Sequence, residues 1–226
     1  MKLPLYAPSM MSADLLHLED CIRQIEPLSD SLHFDIMDGH FAPSITCSPD
    51  MIGAVRQVTK LPLDAHLMVT DPVRFADLCI AAGADCITLH AETIVTNAFR
   101  TMNVIKNAGR KVGVALTPAT PASALATYLD MADLVTVMTV DVGYGGQKLI
   151  EQMLPKITEI AEMRERRGLD FLIQTDGGVG WKTYRRLLDA GADMLVMGRG
   201  FFRPELSLSE SIERWAAIKR GENLDQ

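Results

Sequence analysis

Eight short apolar runs, separated by longer segments of helical period, constrain this chain more than any other feature. The runs cover residues 5–9, 32–37, 63–68, 86–90, 111–116, 134–138, 171–175 and 194–197. They are near-continuously apolar or β-branched, as strands buried on both faces are. Between them the period changes. Leu15, Leu18, Ile22 and Ile25 recur at steps of three or four, and so do Met153, Ile157, Ile160 and Arg164. The joints Ala81-Ala82-Gly83-Ala84-Asp85 and Ala190-Gly191-Ala192-Asp193 read as two copies of one helix-to-strand stop, with Gly at the left-handed end. Eight strands each followed by a helix predict an α/β chain, a (β/α)8 TIM barrel, with residues 1–226 as one domain and 221–226 as a disordered tail. A doubly wound open sheet is the alternative, and it normally carries a glycine fingerprint after its first strand. Pro8-Ser9-Met10-Met11-Ser12 stands there instead.

The 226 residues carry a net charge of −7, and the longest basic stretch, 164–167, is interrupted by Glu165. Nucleic-acid binding needs a basic stripe that releases counterions, so no nucleic-acid partner is expected. No apolar run approaches the roughly 18 residues of a membrane span, and Pro4, Pro8, Ser9, Ser12 and Asp14 break any signal-like stretch. Cys21, Cys47, Cys79 and Cys86 form no CxxC pair and are read as small buried thiols of a reducing compartment, by default the cytoplasm.

In a barrel the chemistry sits where strands end. In the second run His33, Asp35 and Met37 share a face, and in the third His66 and Met68 do. Two imidazoles and a carboxylate on neighbouring strands suit a divalent transition metal, while a buried His–Asp pair that merely orders the core is the other reading. Asp176 follows the seventh run, nearly opposite Asp35 around an eight-strand ring. Two facing carboxylates suit two-sided proton transfer at one carbon, although Asp176-Gly177 is equally a turn signal. Three glycine-rich turns follow the late strands: Gly143-Tyr144-Gly145-Gly146, Gly177-Gly178 and Gly198-Arg199-Gly200. Bare backbone N–H groups there can hold a phosphate without a lysine, with Arg199 either adding a contact or turning to solvent. Met37, Met68 and Met138 near strand ends are core filler or a polarizable floor under a planar intermediate. His17 reads as surface, and His40 and His90 are open between site and packing.

In these segments the chain resembles the ribulose-phosphate 3-epimerase family, from about Leu5 to Phe202. The likeness rests on Ala7-Pro8-Ser9, Ser12-Ala13-Asp14, His33-Phe34-Asp35-Ile36-Met37-Asp38, His66-Leu67-Met68-Val69, Gly143-Tyr144-Gly145-Gly146-Gln147 and Asp176-Gly177-Gly178. Asp14-Leu15-Leu16, Leu89-His90-Ala91-Glu92-Thr93-Ile94 and Val137-Met138-Thr139-Val140-Asp141 are closer to the allulose-6-phosphate 3-epimerase branch. The resemblance implies a metal-dependent barrel that inverts carbon 3 of a ketose phosphate through a cis-enediolate. The substrate pair would be D-allulose 6-phosphate/D-fructose 6-phosphate or D-ribulose 5-phosphate/D-xylulose 5-phosphate. It implies His33, Asp35, His66 and Asp176 as ligands of one zinc, iron, manganese or cobalt ion, with Asp35 and Asp176 as acid/base pair. Ser9 and His66 would meet the substrate. Gly143, Tyr144, Gly145, Gly146, Gly177, Gly178, Gly198 and Arg199 would line its phosphate end, and Met37, Met68 and Met138 the reacting carbons. A homo-oligomer, dimer or hexamer, is implied as well. Three positions depart from the family: Val142 replaces a usual proline, Thr117 a frequent asparagine, and Arg199 a small Ser or Thr. A metal-free phosphate-binding barrel would need a lysine at a strand end, and Lys60 and Lys111 lie at strand starts. A non-catalytic sugar-phosphate sensor, or an epimerase for another ketose phosphate, are the other readings.

Overall fold

The computed structural model describes residues 3–222, so most of the expected 221–226 tail lies outside the described residues. Eight parallel strands form one sheet in the order β1-β8-β7-β6-β5-β4-β3-β2. They are β1 (Leu5–Pro8), β2 (Leu32–Met37), β3 (Leu63–Met68), β4 (Cys86–His90), β5 (Lys111–Leu116), β6 (Leu134–Met138), β7 (Leu172–Asp176) and β8 (Met194–Met197). A parallel bridge from Ser9 to His33 brings the two ends of the sheet together. The fold is the expected TIM barrel. Two boundaries move by one residue: Ser9 leaves β1 to make that bridge, and β7 begins and ends one residue later, so that Asp176 is its last residue.

Among the described residues, seven α-helices cover the sheet: α1 (Leu18–Ile25), α2 (Pro49–Arg56), α3 (Pro72–Ala82), α4 (Ala98–Asn107), α5 (Met153–Arg167), α6 (Tyr184–Asp189) and α7 (Leu208–Lys219). The expected helix between β5 and β6 is absent. That connection contains Pro118 and Pro121 and makes only two 3-10 turns, Ala122–Leu125 and Leu129–Met131. Proline lacks the N–H a helix interior requires. Leu15, expected on the apolar face of the first helix, instead sits in a 3-10 turn and is exposed, while Ile22 and Ile25 are buried. The two glycine joints are built alike. Gly83 and Gly191 have φ of +94° and +115°, and the next residues, Ala84 and Ala192, donate back to Cys79 and Leu187.

Alternation divides the strands into two chemistries. Outward residues such as Phe34, Ile36, Ala65, Leu67, Ile87, Leu89, Val112, Val114, Val135 and Val137 join the large core against the helices. Their neighbours in sequence build a second, more polar set. There His33 meets Asp64, Thr88 donates to Asp64, Thr136 donates to Gln174, and the apolar clusters are small: Ala7, Met194 and Val196, and Met37 and Met68 with Ala42. An aspartate before each even strand stitches the bottom of the barrel. Asp30, Asp85, Asp133 and Asp193 each accept the backbone N–H of the preceding odd strand, at Tyr6, Leu63, Val112 and Ile173, over 2.8–2.9 Å. These bonds set the strand starts, so the register carries upward to the ends where the site lies. All four cysteines are free and buried, as expected.

Candidate active site

Parallel pairing places Asp35 beside His66, His33 beside Asp64, and Met37 beside Met68. β7 brings Asp176 from the other side, with β1 and β8 between it and β2. The four predicted groups meet: one ligand atom each from His33, Asp35, His66 and Asp176 lies within 4.8 Å of all the others. His33 Nε2 and His66 Nδ1 are 3.2 Å apart. Asp35 Oδ1 is 3.4 Å from the first and 3.6 Å from the second, and Asp176 Oδ2 is 3.7 and 3.4 Å away. Both imidazoles are fully buried, Asp35 is nearly so, and the Asp176 side chain retains 14% exposure.

This donor set suits a divalent metal. His33 gives its Nδ1 to Asp64 over 2.9 Å, and Asp64 also accepts the Thr88 hydroxyl at 2.7 Å. An acceptor-only carboxylate at Nδ1 leaves the His33 Nε2 lone pair facing inward, the arrangement in which a metal-binding histidine is usually held. The electrostatics agree. Burial pulls the Asp35 carboxyl upward, but the His33 and His66 imidazoles overcome it and hold it below the ordinary range. Burial lowers both imidazoles, yet Asp35 and Asp64 raise His33 well above its usual value, and Asp176 and Asp35 raise His66. The pocket therefore favours positive charge at its centre.

Above the cluster opens a cavity of about 320 Å³ lined by Ser9, Asp35, Asp176, the three methionines and all three glycine turns. His33 and His66 lie beneath its floor. Met37, Met68 and Met138 are at most 5% exposed. No lysine lines it among the described residues. Ser9 does not simply face the opening; its Oγ donates to Asp35 Oδ2 at 2.5 Å. Asp35 thus turns one oxygen to the imidazoles and holds the other on Ser9.

The glycine turns differ from the helix N-termini expected of them. α6 starts only at Tyr184 and α7 at Leu208, so Gly177-Gly178 and Gly198-Arg199-Gly200 are tight turns. The backbone N–H groups of Gly178, Val179, Arg199 and Gly200 have no partner within the described residues. The two turns touch so closely that a Cβ on Gly200 would lie 1.9 Å from the Val179 carbonyl oxygen. The Arg199 side chain runs along Gly145 and Gly146, joining the loops after β6 and β8. Tyr144 stands exposed at the rim, and the Ser44 hydroxyl donates to the Gly143 carbonyl at 2.6 Å. Val142 packs on Met37, Ala42 and Met68.

The chain belongs to the ribulose-phosphate 3-epimerase family. The model of that family matches residues 5–202. Ribulose-phosphate 3-epimerase of Bacillus subtilis is 44% identical over 198 residues, which is 87% of this chain and 91% of that one. The chloroplastic ribulose-5-phosphate-3-epimerase of Arabidopsis thaliana is 40% identical over 216 residues, covering 95% and 76%. Among solved structures, KGPDC from Streptococcus mutans superposes with a TM-score of 0.77 over 97% of this chain and 99% of that one, at 13% identity, a likeness of fold.

The sequence left His90 open between site and packing, and the structure joins it to the cluster. His90 is fully buried and reaches His66, Nε2 to Nε2, at 3.0 Å, while its Nδ1 lies 3.2 Å from Glu92 Oε2. Burial pushes His90 down to about 4 against the opposing pull of Glu92. Burial raises the Glu92 carboxyl, but His90, Thr120 and Thr117 outweigh it and hold it below the carboxylate range. The signal was the spacing: Asp64 shares a strand face with His66, as His90 does with Thr88, two positions apart. His17 and His40 lie away from the cluster, bonded to Asp14 and to the Asp38 carbonyl.

Proposed function

We propose that the protein is a metal-dependent ketose-phosphate 3-epimerase in which Asp35 and Asp176 move the protons. The observation that carries this reading is the pair of carboxylates that share two buried imidazoles at the floor of a cavity lined by three methionines and three glycine-rich turns. His33, Asp35, His66 and Asp176 would hold one divalent ion. Such an ion supplies Lewis-acid stabilisation of negative charge on neighbouring substrate oxygens.

The residues divide the remaining work. Asp35 takes the C3 proton from one face of the ketose, leaving a planar enediolate, and Asp176 returns a proton to the other face; the reverse reaction exchanges the roles. The Ser9 hydroxyl orients the Asp35 oxygen turned away from the imidazoles. Met37, Met68 and Met138 keep the floor dry, which strengthens every charge interaction above it. The free N–H groups of Gly178, Val179, Arg199 and Gly200 receive the phosphate, so no lysine is required and the net charge of −7 is no obstacle. Arg199 adds charge from the neighbouring strand end and fixes its loop against Gly145 and Gly146.

The substrate pair is D-ribulose 5-phosphate/D-xylulose 5-phosphate or D-allulose 6-phosphate/D-fructose 6-phosphate. The relatives' names favour the former, and the segments around Asp14, His90 and Asp141 favour the latter. The test is exchange of the C3 proton with solvent on both substrates. Asp35→Asn and Asp176→Asn should each lose about 10²- to 10⁴-fold. Full activity in either variant would overturn the two-carboxylate scheme. A non-catalytic sensor would bind the sugar phosphates and show no exchange in the wild type.

A further inference from the structure

His33 is held in its ligating form by one carboxylate next to it. His66 has no carboxylate on its outward nitrogen; it has His90. We infer that Glu92, acting through His90, fixes the tautomer of His66 and so presents the His66 Nδ1 lone pair to the cluster. This rests on the reading of His66 as a metal ligand.

The chain of reasoning starts at a donor that cannot turn around. The Thr117 backbone N–H points at Glu92 Oε1 over 2.9 Å, and the Thr117 hydroxyl donates to the same oxygen at 2.7 Å, joined by that of Thr120. Oε1 must therefore be an acceptor. Oε2, on an ionised carboxylate, is an acceptor too, so the proton between it and His90 sits on His90 Nδ1. His90 is fully buried with Phe41 packed on its ring at 4.6 Å between centroids, and its Nε2 faces His66 Nε2 at 3.0 Å, where two N–H groups cannot both point inward. With the His90 proton on Nδ1 toward Glu92, His90 Nε2 accepts. His66 Nε2, 3.0 Å away, must donate. Its Nδ1 is then bare and faces His33 Nε2, Asp35 and Asp176. Glu92 is a positioning residue two side chains from the cavity. The family departure at Thr117 acquires a role here, since its hydroxyl and N–H hold the first link.

Glu92→Gln tests this sharply because it keeps the shape and reverses the message. The Thr117 N–H still demands an oxygen at the Oε1 position, so the amide NH₂ must face His90 Nδ1. His90 then accepts there and donates from Nε2, and His66 is left with its proton on Nδ1, where the lone pair is needed. Glu92→Ala removes the message without reversing it. Two readouts apply, on the full-length protein: zinc affinity by chelator competition, and histidine ring ¹⁵N spectra recorded with and without zinc.

In the wild type the His90 proton should be on Nδ1 in both states. In Glu92→Gln it should move to Nε2, and zinc affinity should fall about 10- to 100-fold, the usual range when a partner behind a metal ligand is changed. Glu92→Ala should lose less than Glu92→Gln, an order that a merely space-filling Glu92 would not produce. A wild-type His90 proton on Nε2, or Glu92→Gln binding zinc as well as the wild type does, overturns the inference. If the glutamine variant does not fold, the wild-type spectrum decides alone. If the wild type binds no divalent metal, the proposed function falls, while the His90 proton still reports on the relay.

Discussion

Gly200 offers the most quantitative test of how the barrel holds an anion. A Cβ there would meet the Val179 carbonyl oxygen at 1.9 Å and its carbon at 3.0 Å. Carbon–oxygen contacts close at about 3.3 Å, so in Gly200→Ala the two backbones must part by about 1.4 Å. No side chain can absorb that movement, because the obstacle is main chain on both sides. Overpacking of this kind costs about 1–3 kcal/mol. For a chain of this length each kcal/mol moves Tm by about 2–4 °C, so melting should fall by about 2–12 °C. The displaced segments are the ones whose N–H groups are proposed to hold the phosphate, and a misplacement of about 1 Å costs on the order of 10²-fold in turnover. kcat/KM on the phosphorylated ketose should drop by that order, while divalent-metal binding, proposed for residues of β2, β3 and β7, should be kept. Gly180→Ala is the internal control. It sits in the facing turn after β7, its Cβ would meet nothing within 4 Å, and its effect on stability should stay within about 0.5 kcal/mol. Steady-state kinetics and thermal melts of the two variants side by side decide the matter. If Gly200→Ala behaves like Gly180→Ala in both, the close approach of the two turns is irrelevant to the site and the argument fails.

Other expectations follow from the same geometry. Asp38 accepts the N–H groups of His40, Phe41 and Thr70 and the Thr70 hydroxyl, tying the loop after β2 to the loop after β3. Burial raises its carboxyl, but these donors prevail and hold it below the carboxylate range. Because its folded pKa is depressed, its contribution is full above the unfolded value of about 3.9 and is lost as pH falls through the folded one. Asp38→Ala should therefore destabilise at pH 7 by about 1.5–3 kcal/mol, with the gap to wild type closing in strong acid; chemical denaturation at both pH values reads it. Asp193 is buried and accepts from Arg164 at 2.5 Å and from the Ile173 N–H at 2.8 Å, so Asp193→Ala strands a cation and a strand-start N–H. Its expected cost is about 3–5 kcal/mol in denaturant melts, with Asp133→Ala milder because its side-chain carboxylate has no salt-bridge partner among the described residues. Treatment of the purified enzyme with a strong chelator should abolish C3 exchange, and stoichiometric divalent metal should restore it.

The barrel was legible because its code is local. Eight buried strands must be apolar runs, helices that cover them must be amphipathic, and Gly83 and Gly191 must stop helices where a left-handed residue is required. The metal-type cluster was legible as well, since period-two alternation alone puts His33 and Asp35 on one face and His66 on the next strand. The missing helix between β5 and β6 shows the limit of that code: a topological rule overrode Pro118 and Pro121, whose local chemistry was the better guide.

Only the closed ring could decide the rest. Whether Asp176 reaches the same two imidazoles as Asp35 depends on strand register and on the Ser9–His33 bridge that closes the sheet, both properties of the whole barrel. The partners of His33 and His66 come from β3 and β4, and Glu92 behind His90 is held from the loop after β5, so no window of sequence contains them together. Sequence fixes which groups each strand end carries, because side-chain direction follows from backbone period. Their protonation and their purpose follow from which other groups folding brings within about 3 Å, the range over which a hydrogen bond assigns a proton.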